Sequence, residues 1–176
     1  MKLELLKEVT EEFASYLSEV TDGDLTAQTP CARWAIQDLY AHMLDVNARL
    51  AEALDPRAAP PAPHGACAPR ETIYRDSARY AADALARAGD AGEELFESHV
   101  ANTLIHTWDL AQATRLEFDP PGPHVIDIAL RYLHRLPPES RGQDKPFAAI
   151  LDFPAAAPMD EVLFLSSRTP RSRLGA

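Results

Sequence analysis

Residues 99–110 read HVANTLIHTWDL. Taken as a helix advancing about 100° per residue, this stretch gathers His99, Asn102, His106 and Asp109 into one sector about 80° wide and turns Leu104 and Trp108 to the other side. A polar stripe of this kind is either a solvated face or one wall of a site that looks into the interior of a helical protein. The remainder of the chain decides between them.

Working outward, the helical pattern around the stripe extends over about 93–115. Residues 2–20 set Leu3, Leu6, Phe13 and Leu17 at helical spacing with Glu and Lys between them, an amphipathic helix. TDGDLTAQTPC then reads as a loop by its Gly, Pro and Thr content. From Trp34 to about Leu54, Leu39, Met43, Val46 and Leu50 recur at steps of four and three and predict a second helix, and Ile73, Ala81 and Leu85 suggest a third over 70–88. Between those two lies a proline-rich connection over 56–69, whose composition excludes a helix. DPPGPH stops the fourth helix, and 124–135 predict a shorter fifth. The tail, 137–176, changes character: FAAILDF and EVLFLSS are short apolar runs expected as strands or extended segments on the bundle. The expectation is one all-α domain over 1–176, a four-helix bundle with an additional short helix and an extended C-terminal tail.

Bulk properties narrow the function. The chain has 176 residues, enough for a full core without a crosslink, and a net charge of −10 that argues against nucleic acid as partner. Two cysteines without a CxxC spacing make neither a disulfide framework nor a zinc knuckle. No apolar run is long enough to span a bilayer and the charged N-terminus is no signal peptide, so a soluble cytoplasmic protein is expected, with no membrane partner.

His42 lies at the edge of the apolar stripe of the second helix, flanked by Asp38 and Asp45, and is placed to look into the bundle. Bundle interiors build metal sites from side chains on facing helices, and imidazole suits zinc, nickel, iron or copper. A structural histidine is the competing reading. Cys31 is expected to be a buried structural thiol, Cys67 an exposed one in the proline-rich loop, and His64 a solvated residue of that loop. His124 and His134 are read as first- and last-turn residues of the fifth helix, Trp34 and Trp108 as core anchors, and Arg168, Arg171 and Arg173 as part of a solvated tail.

A resemblance adds to this. TPCARWAIQDLYAHML, residues 29–44, resembles the entry to the second helix of the DinB-like superfamily in its mycothiol-dependent maleylpyruvate isomerase branch, where T-P-C-x-x-W-x-x-x-D-L-x-x-H is typical. HVANTLIHTWDLAQAT, residues 99–114, is similar to a later helix of that branch, H-x-x-D-x-x-x-H-x-W-D-L-A. The tail PFAAILDFPAAAPMDEVLFLSSRTPR resembles its ending, where L-x-x-x-G-R-x-P recurs. The resemblance implies a four-helix bundle, a homodimer, and a divalent metal, zinc or nickel, held by three side chains. It also implies a low-molecular-weight thiol as cosubstrate and a small-molecule substrate for isomerase or S-transferase chemistry. Carried over, the ligands fall on His42, Asn102 and His106, with Asn102 where the family has an acid. An amide offers a dipole where a carboxylate offers a charge. The exchange weakens metal binding and points to loss of the metal or to a site rebuilt with His99. His99, Asn102 and Asp109 are the candidate catalytic groups, and Asp45 or Asp109 the carboxylate that orients a ligating histidine. The alternatives are a metal-free small-molecule-binding bundle acting as an isomerase or cyclase in a biosynthetic pathway, and a non-catalytic binding protein. The tail has Ser167 where the motif has Gly.

Overall fold

The computed structural model describes residues 2–31, 34–57, 60–65, 67–141, 149–151, 155 and 157–169. Six α-helices follow one another: α1 Lys2–Ser18, α2 Ile36–Leu54, α3 Arg70–Ala88, α4 Glu93–Thr114, α5 Pro123–Arg135 and α6 Pro158–Leu165. No β-strand occurs among the described residues, in agreement with the DinB-like all-α expectation.

Side-chain contacts fix the direction of each helix. Tyr40 Oη donates to the Arg70 carbonyl at 3.4 Å, Asn47 Nδ2 to Ser77 Oγ at 2.8 Å, and Arg87 Nε to Asp55 at 2.9 Å, so α2 and α3 run parallel. Arg70 reaches the Val20 carbonyl, Tyr74 packs on Phe13 with ring centroids 4.5 Å apart, and Arg75 pairs with Glu11, which makes α3 antiparallel to α1. Lys2 pairs with Glu93, and Tyr16 Oη donates to the Glu117 carbonyl at 3.0 Å, so α4 runs with α1 and against α2. The result is an up–down–down–up bundle. Two parallel neighbours need a connection as long as a helix; α2 has 19 residues, about 28 Å at 1.5 Å per residue. The proline-rich segment spans that length because proline holds the chain extended.

Helix ends follow local chemistry. Asp38, at the third position of α2, accepts the Ala35 N–H at 2.9 Å and satisfies one of the unpaired donors of the first turn. Asp38 is thus a capping residue at the mouth of α2. Pro sits in the first turn of both α5 and α6, where its missing N–H costs nothing.

The core has two clusters, one of Leu6, Val9, Phe96, Val100, Leu104, Trp108, Val125 and Val162 and the other of Phe13, Leu17, Leu39, Met43 and Tyr74. Trp108 is buried in it, as expected. The helix α4 is central: from His99 to Ala111 every residue but Asn102 is buried. Its polar stripe therefore faces protein and not solvent. Buried Glu97 is held by Arg131 and Arg135, which fasten α5 antiparallel to α4.

The tail corrects one expectation. EVLFLSS is not extended: Glu161–Leu165 lie in α6, whose Met159, Val162, Leu163, Phe164 and Leu165 are all buried and whose Glu161 meets His134 at 2.9 Å. The run is too short and too uniformly apolar to show a period, and the start signal at Pro158 is what marks it as helical. Most of FAAILDF lies outside the described residues. The helix α6 ends in a reversal in which Arg168 N–H donates to Leu163 O at 2.7 Å and Ser167 N–H to Phe164 O at 3.1 Å. Ser167 has φ 66°, the left-handed region that favours glycine. Serine thus takes, at the glycine position of the tail motif, a backbone conformation that glycine favours.

Candidate functional site

The helix α2 packs closely on α3 and only loosely on α4, and the looser seam holds the site. His42 on α2 and His106 on α4 meet with ring centroids 5.0 Å apart, edge to face. Trp34 stands against both, 4.6 Å from His42 and stacked 5.7 Å from His106. Trp34 is thus a wall of the site and not a buried core anchor. A tight loop places it: Thr29 donates through N–H and Oγ1 to the Trp34 carbonyl, each at 2.9 Å, and Trp34 N–H donates to the Cys31 carbonyl at 3.0 Å.

Behind His106 stands a charge relay of three groups. His106 Nδ1 is 2.9 Å from Asp109 Oδ2, and Arg168 grips the same carboxylate through Nη2 at 2.8 Å and Nε at 3.2 Å. A carboxylate only accepts, so Nδ1 carries the proton in this bond. Burial pushes the Asp109 carboxyl up, but the hydrogen bond from His106 and the charge of Arg168 outweigh it and hold the group below the usual carboxylate range. Arg168 is 9 % exposed and also donates to the Ser166 carbonyl at 2.6 Å, which overturns its reading as a solvated tail residue. The reversal at Ser167 is what turns it inward. Arg171 and Arg173 lie outside the described residues.

Burial, then the neighbouring His106, pulls His42 down to about 4, against a weaker upward pull from Asn102. Its imidazole is neutral at physiological pH. Asn102 lies beside it, and neither His42 Nε2 nor Asn102 Oδ1 makes a well-formed hydrogen bond. Asp45, by contrast, is exposed and pairs with Arg49 at 2.8 Å, so Asp109 and not Asp45 orients a site histidine. Cys31 is half-buried beside the Arg168 guanidinium; burial raises its thiol pKa and Arg168 offsets part of the rise. Sequence reasoning missed this placement, although TPC belongs to the motif of the second-helix entry. Cys67 is exposed and His64 half-buried, 3.4 Å from Asp76. His124 and His134 pair with Glu8 and Glu161 at the two ends of α5.

His99 shares the stripe but not the site. It is fully buried, burial lowers it to about 4, and its Nδ1 has no partner. Seven residues separate it from His106, about 10 Å along the helix axis. Among the described residues no three His, Cys, Asp or Glu side chains gather to hold a metal ion, so His99 is not drawn in as a third imidazole.

The residues present are nevertheless of metal-ligand type: two imidazoles on facing helices, one braced through its other nitrogen by a carboxylate, with an amide oxygen beside them. Asn102 brings no charge to the set. Four further buried atoms without a well-formed hydrogen bond, Asn47 Oδ1, Tyr74 Oη, His99 Nδ1 and Thr103 Oγ1, lie on α2, α3 and α4.

The family profile described as mycothiol maleylpyruvate isomerase N-terminal domain matches residues 6–103, a span that includes His42 and Asn102. Two uncharacterized proteins of Mycobacterium tuberculosis, MT0763 of strain CDC 1551 / Oshkosh and Rv0738 of strain H37Rv, are each 28% identical over 171 residues, 92% of this chain and 94% of the relative. No solved structure matches significantly.

Proposed function

The chain belongs to the mycothiol maleylpyruvate isomerase N-terminal domain family, and from that membership we propose a metal-dependent enzyme acting on a small electrophile with a low-molecular-weight thiol. The reaction is an isomerisation or an S-transfer. The observation that carries the reading is the facing pair His42 and His106, with the Asp109–Arg168 pair braced behind it. His42, Asn102 and His106 hold the cation. Zinc or nickel bound there supplies positive charge that favours thiolate over thiol near neutral pH.

The residues of the chain do the rest. Asp109 fixes the His106 ring through Nδ1 and leaves Nε2 as the nitrogen it does not hold, while Arg168 holds Asp109 ionised. Trp34 covers both imidazoles and restricts water. Asn102 offers an amide oxygen, and its NH2 remains available as a donor to a bound carbonyl or hydroxyl.

A second reading rests on Asn102 itself. Without a carboxylate in the donor set the pocket works metal-free, as an isomerase or cyclase of a biosynthetic pathway, with His42, Asn102 and His106 as acid, base and hydrogen-bond donor. We take the protein as cytoplasmic and homodimeric; no helix among the described residues is long and apolar enough to cross a membrane.

The deciding experiment is metal content by mass spectrometry on protein purified without a histidine tag, beside His42→Ala and His106→Ala. Near-stoichiometric zinc or nickel that disappears in both variants supports the enzyme with its metal. Folded, metal-free protein that zinc and nickel fail to reconstitute removes the first reading and leaves the second.

A further inference from the structure

Buried polar side chains of α2, α3 and α4 lie together in pairs. His42 lies beside Asn102, and the next residue on α4, Thr103, has its hydroxyl beside that of Tyr74 on α3 without a well-formed hydrogen bond between them. One turn along α3 from Tyr74, Ser77 accepts from Asn47 Nδ2 at 2.8 Å, leaving Asn47 Oδ1 unpartnered. His99 lies one turn from Asn102 and Thr103 on the same side of α4, its Nδ1 also unpartnered. Tyr74, Asn47 and Thr103 are wholly buried. Ser77 is half-buried and lines a cavity of about 400 Å³ under the segment Pro60–His64, walled by Leu44, Ile73 and Tyr80.

Each of these groups is neutral, and between them they offer both donors and acceptors. That chemistry suits water, which bonds to two to four polar partners in protein interiors. Cations and anions find no compensating charge among them.

We propose that Asn102, Thr103, Tyr74, His99 and Asn47 hold a file of ordered water that joins the His42–His106 site to the cavity under the proline-rich segment at Ser77. The site then has an aqueous seam through the bundle along which protons and water exchange. The seam takes its functional meaning from the site reading, but its existence requires neither metal nor thiol.

The test uses the full chain as purified, with no thiol or substrate added. Tyr74→Phe and Thr103→Val keep shape and remove one hydroxyl each, so both variants fold. A file of water predicts that each lowers the melting temperature by about 2–4 °C. An unchanged or higher melting temperature overturns the proposal, because deleting a polar group that truly lacks a partner relieves a cost. The second readout is magnetisation transfer from water to the His99 ring by NMR. The seam predicts transfer in the wild type and its loss in Tyr74→Phe and in Ser77→Val, which closes the outer end. No transfer in the wild type overturns the seam even where stability falls. Because both readouts are independent of bound metal, a failed metal assay and a failed seam are separable results.

Discussion

Replacing Arg168 with Met tests the relay behind His106 directly. The guanidinium makes two hydrogen bonds to Asp109, whose side chain is 0 % exposed against 9 % for its partner. Met fills similar space but leaves a buried carboxylate with only the His106 N–H. Breaking a buried pair in this way costs about 3–5 kcal/mol, a drop of about 6–20 °C in melting temperature for a chain of this size. Asp109→Asn alone leaves the opposite orphan, a buried guanidinium. Arg168→Met/Asp109→Asn removes both charges and recovers most of the loss. The assay is urea denaturation of the four proteins, closed as a double-mutant cycle. A coupling below about 0.5 kcal/mol, the level expected of independent sites, refutes the relay and makes Arg168 a surface contact. Nitrogen NMR adds a readout that mere stability does not move: the Nδ1–H tautomer of His106, dominant in the wild type, loses its excess in the Asp109→Asn variant.

Acid weakens the fold through His99. Its folded value of about 4 lies below the ordinary 6.5, so the unfolded chain binds more protons between those limits and stability rises with pH across them. The contribution is complete above pH 6.5, is worth up to about 3 kcal/mol, and is lost as pH falls towards 4. His42, half-buried, acts in the same direction; Asp109 begins to act only below pH 3.8. Urea midpoints at pH 7.5 and 5 show a shallower dependence in His99→Gln, and an unchanged slope contradicts this. Ser167→Gly relieves a left-handed serine worth about 1–2 kcal/mol and loses the exposed Ser167 Oγ bond to the Ala149 carbonyl, worth about 1 kcal/mol. The net expectation is a small gain in thermal stability, and a clear loss counts against the strain argument. Asn102→Asp returns a charge to the donor set and tightens zinc at least about tenfold, measured by competition with a chromophoric chelator; equal affinity removes residue 102 from the ligands.

Much of this was legible in the sequence where the cause is local. The first five helices follow from periodicity and stop signals, and the polar stripe of α4 is read from spacing alone. Spacing gives the angular sector of a side chain but not its height along the axis. His99 and His106 therefore look equivalent in the sequence, while the crossing of α2 sets His42 against only one of them. Long-range partners were not legible. Arg168 stands in a polar tail, and only the reversal at Ser167 and the packing of α6 send it 59 residues back to Asp109. Trp34 reads as a core anchor because aromatic residues at helix entries usually are; its hydrogen bonds with Thr29 and Cys31 hold its backbone where the ring lies against the imidazoles.

The contact between Asp109 and Arg168 makes the site depend on the far end of the chain. Arg168 balances the buried Asp109 charge, and it is held inward by the reversal at Ser167 and the packing of α6. A change in α6 that leaves the α2–α4 seam untouched therefore still reaches His106, through the carboxylate that His106 and Arg168 share.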